Sequence, residues 1–229
     1  LKLALAYWLV KGHREQVMNN EAPRLIAVSA FAQSGKDTFY EFLKHHAHDA
    51  WGMKVHKWKF ADALRQSVRE ECLELGIDPW TEHPDEKEII RPILVRVGQE
   101  ARAKNPDHWV ETLLANKLPL NGIVVITDMR YVNELLKVEA QKDPEDKFYV
   151  WLDREGKGPA NDEEKEYTTL LREELFKYDN AVHYAWLKDF DNLAYENWDS
   201  GSKAEIYKDL TEQVFNPIQE YWGLKIVKP

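Results

Sequence analysis

The segment Ser34-Gly35-Lys36-Asp37-Thr38 combines residue types that can hold a phosphate group. Glycine lets a backbone approach an anion closely, and lysine adds a flexible point charge. If a strand leads in and a helix leads out, the N–H groups of residues 34–38 converge on one anion at the helix N-terminus. The stretch Ala30-Phe31-Ala32-Gln33-Ser34-Gly35-Lys36-Asp37 has the spacing of the phosphate-binding loop G-x-x-x-x-G-K-[ST], with a departure at each end. Ala30 stands at the first glycine position. Asp37 stands at the hydroxyl position, and Thr38 follows one place later. On this reading Gln33 to Thr38 wrap the phosphates of a nucleotide, and Lys36 meets the β- and γ-phosphates. Thr38, or Asp37 through a water molecule, is suited to help hold Mg2+. An ordinary strand-to-helix turn with a surface lysine has the same outline, and the flanking elements decide between the two.

A second constellation, Thr127-Asp128-Met129-Arg130, directly follows the apolar run Ile123–Ile126. Ligands in open α/β sheets bind at the carboxyl ends of the strands. An Asp there can orient Mg2+ or its waters, and an Arg two residues on can fork onto a phosphate. A helix-capping Asp beside a solvated Arg explains the segment equally well when it is taken alone. The loop at 34–38 tips the balance toward function. A third set is Phe60-Ala61-Asp62-Ala63-Leu64-Arg65. Arg65 could reach an acceptor phosphate and Phe60 could pack on a base, although a buried Phe and a surface Arg fit as well. Two of His45, His46 and His48 could share a helix face, but no carboxylate partner for a metal is evident, and a solvated face is expected.

The elements that must position these residues follow from hydrophobic patterning. Leu25–Ser29 and Ile123–Ile126 are short apolar runs of the kind buried in parallel sheets, and Phe148–Leu152 is a third. Lys54–Phe60 alternates and predicts a second strand in chain order. A helix is expected over 61–75, stopped by Gly76, with a loop over the Pro- and acid-rich residues 77–88. Helices are expected over 89–103 and 107–118, Asn121-Gly122 marks a turn, and a helix covers 131–140. Residues 153–166 are Gly-rich and charged and read as a mobile segment, followed by a helix and a short strand near Ala181–Tyr184. Ser202 and Glu205 have capping-box spacing at the start of a last amphipathic helix, which Pro217 should kink. Strands separated by helices predict an α/β architecture with a mainly parallel sheet.

The 229 residues allow one large domain or one domain with insertions, and 44% hydrophobic residues allow a sizeable core. The formal net charge of −9 argues against binding along a nucleic-acid backbone, though a few focused cations suffice for a nucleotide. The single cysteine, Cys72, excludes an intramolecular disulfide and a Cys-based zinc site, which fits a cytoplasmic location. The apolar stretch Leu1–Val10 is too short to span a bilayer and reads as a packing helix or an added N-terminal segment. The last helix suits an interface as well as a core, so a homodimer is among the expectations.

These blocks together resemble the bacteriophage deoxynucleoside monophosphate kinases, within the wider nucleoside monophosphate kinase group. Asp37 directly after Lys36 is characteristic of them. Arg91-Pro92-Ile93-Leu94-Val95-Arg96-Val97-Gly98-Gln99-Glu100, leading to Asp107-His108-Trp109-Val110, is similar to their helical block. Asp128-Met129-Arg130-Tyr131-Val132-Asn133-Glu134 is close to their Asp-x-Arg-x-x-Asn-Glu signature, and Phe60-Ala61-Asp62 with Arg65 fits too. The resemblance spans residues 25–154. Ala30 departs from it, as do Val95 and Gln99, which stand where Gln and Thr are frequent. Residues beyond Arg154 match poorly.

The resemblance implies a three-layer P-loop kinase fold with a helical acceptor-binding insertion at 61–120 and a lid at 153–170. All of it would lie in one domain, 24–229, behind an extension at 1–23. It implies transfer of the ATP γ-phosphoryl group to a (deoxy)nucleoside monophosphate with Mg2+. Lys36, Asp128, Arg130 and the lid residue Arg154 would be catalytic. Phe60, Asp62, Arg65, Arg91, Gln99, Trp109 and Arg130 would bind the acceptor, and Asp37, Thr38 and Asp128 would face the metal. Partners would be small nucleotides rather than a membrane or nucleic acid, and the location the host-cell cytoplasm. A modified pyrimidine nucleotide or modified phage DNA as acceptor, or nucleotide binding without catalysis, are the alternatives.

Overall fold

A computed structural model describes residues 23–116, 119, 121–141, 147–186 and 201–226; the helix expected at Leu1–Val10, the rest of the N-terminal extension and the stretch 187–200 lie outside them. Five strands, β1 (Arg24–Ala30), β2 (Val55–Trp58), β3 (Ile123–Ile126), β4 (Lys147–Asp153) and β5 (Ala181–Ala185), form one sheet in the order β2-β3-β1-β4-β5. Every neighbouring pair is parallel. The chain leaves β1 toward β2, two places to one side, and leaves β3 toward β4 on the other side. Adjacent strands whose connections depart in opposite directions open a crevice at their carboxyl ends, where ligands bind in such sheets. Ala30 and Ile126 are the last residues of those two strands.

Burial explains why β1 carries no polar alternation. Ile26, Val28 and Ala30 face one apolar cluster, and Leu25 and Ala27 face another. The first cluster joins the sheet to α1 (Lys36–Asp49) and to the C-terminal helices α8 (Gly201–Leu210) and α9 (Asn216–Trp222) through Phe39, Phe42, Leu210 and Ile218. The second joins it to α5 (His108–Leu114), α6 (Val132–Glu139) and α7 (Asp162–Leu175) through Leu113, Leu135 and Leu171. Helices on both faces of a parallel sheet complete the α/β architecture. A smaller third cluster, built on Val68, Cys72, Ile77 and Ile90, holds α2 (Phe60–Ser67), α3 (Arg69–Glu74) and α4 (Pro84–Lys104) together beside the sheet.

Several expectations change. The helix over 61–75 is two helices, broken at Val68. The loop at 77–88 ends early, because Pro84 opens α4 with Asp85 and Glu86 in its first turn. These residues suit a helix N-terminus, where Pro lacks an N–H that would go unpaired and acids meet the positive dipole end. Pro92 lies inside the same helix. The mobile segment at 153–166 is cut short by α7, whose cap Asn161 accepts the Glu164 N–H at 2.7 Å while Glu164 Oε2 accepts the Ala160 N–H at 2.6 Å. The last helix carries a π-turn at Thr211–Phe215, directly before Pro217 in α9. His46 is buried rather than solvated. Its Nδ1 lies 2.8 Å from the Tyr207 hydroxyl, and burial pushes its pKa down to about 4. The three histidines form no metal cluster among the described residues. At Gly122, φ is 90° and an added Cβ would sit 2.5 Å from the Lys54 carbonyl oxygen, so only glycine allows β3 to start beside β2. Among the described residues, no helix is long and apolar enough to cross a membrane.

Candidate active site

The loop between β1 and α1 is shaped by its backbone. Gly35 takes φ 84°, and Gln33, at φ 60°, is the one non-glycine residue with positive φ among those described. No side chain caps α1. Its first-turn amides therefore point at the loop with no side-chain acceptor, the arrangement that attracts an anion. Ser34 is buried, and its carbonyl accepts the Trp186 indole N–H at 2.8 Å, which fastens the loop to the end of β5. Lys36 Nζ donates to the carbonyls of Ala30 (3.2 Å) and Phe31 (3.0 Å). Burial, and then the charge of Arg130, lower its pKa to about 8 against the pull of Glu164, Asp128 and Asp37. An entering phosphate would reverse that shift. From the opposite side, Arg154 donates to the Gln33 carbonyl at 3.3 Å and Lys157 to the Gln33 side-chain oxygen at 3.0 Å.

Asp37 is exposed at the mouth of the site. Its Oδ1 takes Lys57 Nζ at 2.6 Å and Lys59 Nζ at 3.5 Å. Burial works to raise its pKa, but the Lys57 hydrogen bond and the charges of both lysines outweigh this and hold it below the ordinary value.

The segment after β3 is a set of tethers. Asp128 accepts the Phe60 and Ala61 backbone N–H groups, both at 2.9 Å, one on each carboxylate oxygen. It thus caps α2 from the end of the neighbouring strand, which is the helix-capping role the sequence offered beside a ligand role, here for a helix distant in sequence. Burial raises its pKa, opposed by those two amides and by Arg130. Asn133 Nδ2 donates to the Pro106 carbonyl at 3.0 Å and to Asp107 at 2.9 Å, which fixes the entry to α5. Glu134 accepts the Arg130 and Tyr131 amides at 2.7 and 3.1 Å, and burial pushes its pKa up to about 8. Trp109, buried at the start of α5, donates to the Gly98 carbonyl of α4 at 3.3 Å. Asp128, Asn133 and Glu134 of the Asp-x-Arg-x-x-Asn-Glu run therefore each bind backbone of the surrounding elements, and Asp128, Arg130 and Glu134 also line the cavity.

One cavity of 510 Å³ joins the two sides. Lys36, Asp37, Asp128 and Arg130 line it from the sheet, and Phe60, Arg65, Arg91, Gln99 and Trp109 from the helices. Asp62 is not on its wall and instead accepts the Trp80 indole N–H at 3.4 Å. Thr38, Arg154 and loop residues Gln33, Ser34 and Gly35 do not line it either. Sequence reasoning missed Lys59, Arg102, Tyr131, Glu164 and Tyr167, and gave no role to Glu134, which all lie on the wall. Arg102 stacks over the Tyr131 ring at 4.9 Å, and Arg130 lies 3.9 Å from Glu164. Six cations thus face four carboxylates, and two of those, Asp128 and Glu134, are pushed toward the neutral form. The cavity favours anions although the whole chain is acidic.

The oxygen donors Asp37, Thr38 and Asp128 have the hard character that Mg2+ prefers, and among the described residues no cluster of three metal-ligating side chains exists. A Mg2+ carried mainly by phosphate oxygens and waters, with one or two protein oxygens, fits such a set.

No protein-family model matches the chain, and no curated protein matches it. A plasmid partition protein from Borrelia burgdorferi B31 bound to AMPPNP is a structural neighbour, with a TM-score of 0.37 and 14% identity over 86% of this chain and 99% of that one.

Proposed function

We propose that the chain is an ATP-dependent kinase that phosphorylates a (deoxy)nucleoside monophosphate. The observation that carries this reading is the shared cavity, in which a phosphate-loop lysine, Lys36, and three arginines of the helices and the β3 end, Arg65, Arg91 and Arg130, face one space. A hydrolase needs a place for one polyphosphate and a water. This cavity has cations from both the sheet and the helices, and apolar lining from Leu64, Leu94, Val95 and Trp109 of a kind that suits a base.

The residues would act by position and charge. The loop amides and Lys36 hold the donor phosphates, while Arg65, Arg91 and Arg130 hold the acceptor phosphate. The acceptor is already an anion, so no general base is required, and the barrier falls through alignment and charge neutralisation. Arg154, which donates to the Gln33 carbonyl, would close over the donor and limit water. Mg2+ bound by the phosphates would neutralise charge near Asp37, Thr38 and Asp128.

A panel of ribo- and deoxynucleoside monophosphates, including modified pyrimidines, with ATP and Mg2+ tests the reading. At least one diphosphate product is expected, and Lys36→Ala should lower its rate by about a hundredfold or more while leaving the fold intact. ATP binding without any phosphorylated acceptor would instead mark a nucleotide-binding protein.

A further inference from the structure

The two lysines at the cavity mouth have no place in the mechanism above. Asp37 puts a carboxylate one residue after Lys36, at the entrance of a site for anions, where it repels an incoming phosphate. Two lysines answer it, and they are held differently. Lys57 Nζ lies 2.6 Å from Asp37 Oδ1 and 4.6 Å from the centre of the Tyr40 ring, so two partners fix it, and it is not on the cavity wall. Lys59 Nζ makes the longer contact to the same oxygen, 3.5 Å, and lies on the wall with Lys36 and Arg65. The backbone of Lys59 is anchored as well, because the next two amides are the pair that Asp128 binds. The ammonium is thus carried on a flexible stem from a fixed point where the donor loop meets the acceptor helices.

We propose that Lys59 is a catalytic residue that turns from Asp37 to the phosphoryl group in transit, while Lys57 stays behind as the counter-charge of Asp37. The inference rests on the kinase reading. In the transfer, the bond between the γ-phosphorus and the β,γ-bridging oxygen of ATP breaks, and its electron pair stays on ADP. An oxygen of the acceptor phosphate forms the new P–O bond. No proton changes hands, and Lys59 keeps its charge throughout. Its contribution belongs to the transition state, where charge spreads over the equatorial oxygens between the two sides.

Lys59→Met and Lys59→Arg in the full chain test this, with kcat and KM for the accepted monophosphate, ATP affinity by calorimetry, and the thermal midpoint. For Lys59→Met, kcat should fall on the order of a hundredfold, with ATP affinity and thermal midpoint near those of the unsubstituted chain. Lys59→Arg, which keeps the charge, should recover part of that loss. A kcat for Lys59→Met within about twofold of the unsubstituted chain overturns the proposal and leaves the kinase reading standing. So does a fall in kcat matched by weaker ATP binding or a lower midpoint, which makes Lys59 only a structural partner of Asp37. If the unsubstituted chain transfers phosphate to no monophosphate, the kinase reading fails and this proposal fails with it.

Discussion

The loop after β1 and helices α2 to α4, the donor and acceptor sides of the proposed kinase, meet in one cavity, yet they are held in place by different forces. The loop leaves β1, whose residues are all buried between two apolar clusters, and Trp186 fastens it to the end of β5. Helices α2 to α4 have their own small core around Cys72 and Ile90, and directional bonds from Asp128 to α2 and from Trp109 of α5 to α4 help set how they sit against the sheet, with Asn133 fixing the entry to α5. Apolar packing is distributed over many contacts, whereas a tether concentrates its effect in one side chain. The donor side should therefore tolerate single changes outside the loop. The acceptor side should lose its geometry when one tether is cut.

Asp128→Ala is the sharpest way to break that contrast. It leaves two part-buried amides of α2 without an acceptor and should cost about 1–3 kcal/mol, read as a shift of the urea midpoint. In protein that remains folded, the KM for the acceptor should rise at least about tenfold while ATP affinity changes little. Equal losses on both substrates would mean that the two sides are not held separately. Trp109→Phe deletes the bond to the Gly98 carbonyl and removes part of a buried ring, so its cost adds a packing loss to that of the bond. The bond should account for about 1 kcal/mol of it, and the change should again weaken the acceptor more than ATP in steady-state kinetics.

Acidity separates the two faces of the sheet in a smaller effect. Glu134, on the acceptor side, has its pKa raised to about 8 by burial, so the folded chain binds the proton that the unfolded chain has released. Its contribution is present below its ordinary pKa near 4.5 and is lost as pH rises toward 8. His46, in the cluster with α8 and α9, has its pKa lowered to about 4 from 6.5. Its contribution is lost as pH falls from 6.5 to 4. Between pH 6.5 and 8 Glu134 acts without His46, and stability should fall with pH by up to about 1.4 kcal/mol per unit, less steeply near pH 8, where Lys36 begins to release its proton in the folded chain and acts in the opposite direction. Glu134→Gln should flatten that fall without abolishing it, because burial of Asp128 acts in the same direction. Thermal midpoints of both proteins across this window check the sign.

The strands and the donor loop were legible because their signals are local. Ile123–Ile126 is an uninterrupted β-branched run and forms a strand with those bounds, and Gly35-Lys36 sits where a strand gives way to a helix. Two helix starts were also written locally and were misread, since proline and acids at 84–86 and Asn161 with Glu164 are start signals that resemble loop composition. The rest of the site was not legible from neighbours in sequence. Lys59, Arg102, Tyr131 and Glu164 come from four separate elements, and only the strand order and helix packing bring them to one wall. The Asp128 reading shows the same limit. Its position after β3 pointed to a ligand, but the amides it binds lie 67 and 68 residues away.

The central claim is that this cavity moves a phosphoryl group between two nucleotides rather than to water. ATP labelled in its γ-phosphate, incubated with the protein, Mg2+ and the monophosphate panel, decides it most directly. The account predicts that the label appears in a nucleoside diphosphate, at a rate that depends on which monophosphate is present. Label released only as inorganic phosphate, at a rate unaffected by any monophosphate, would contradict it.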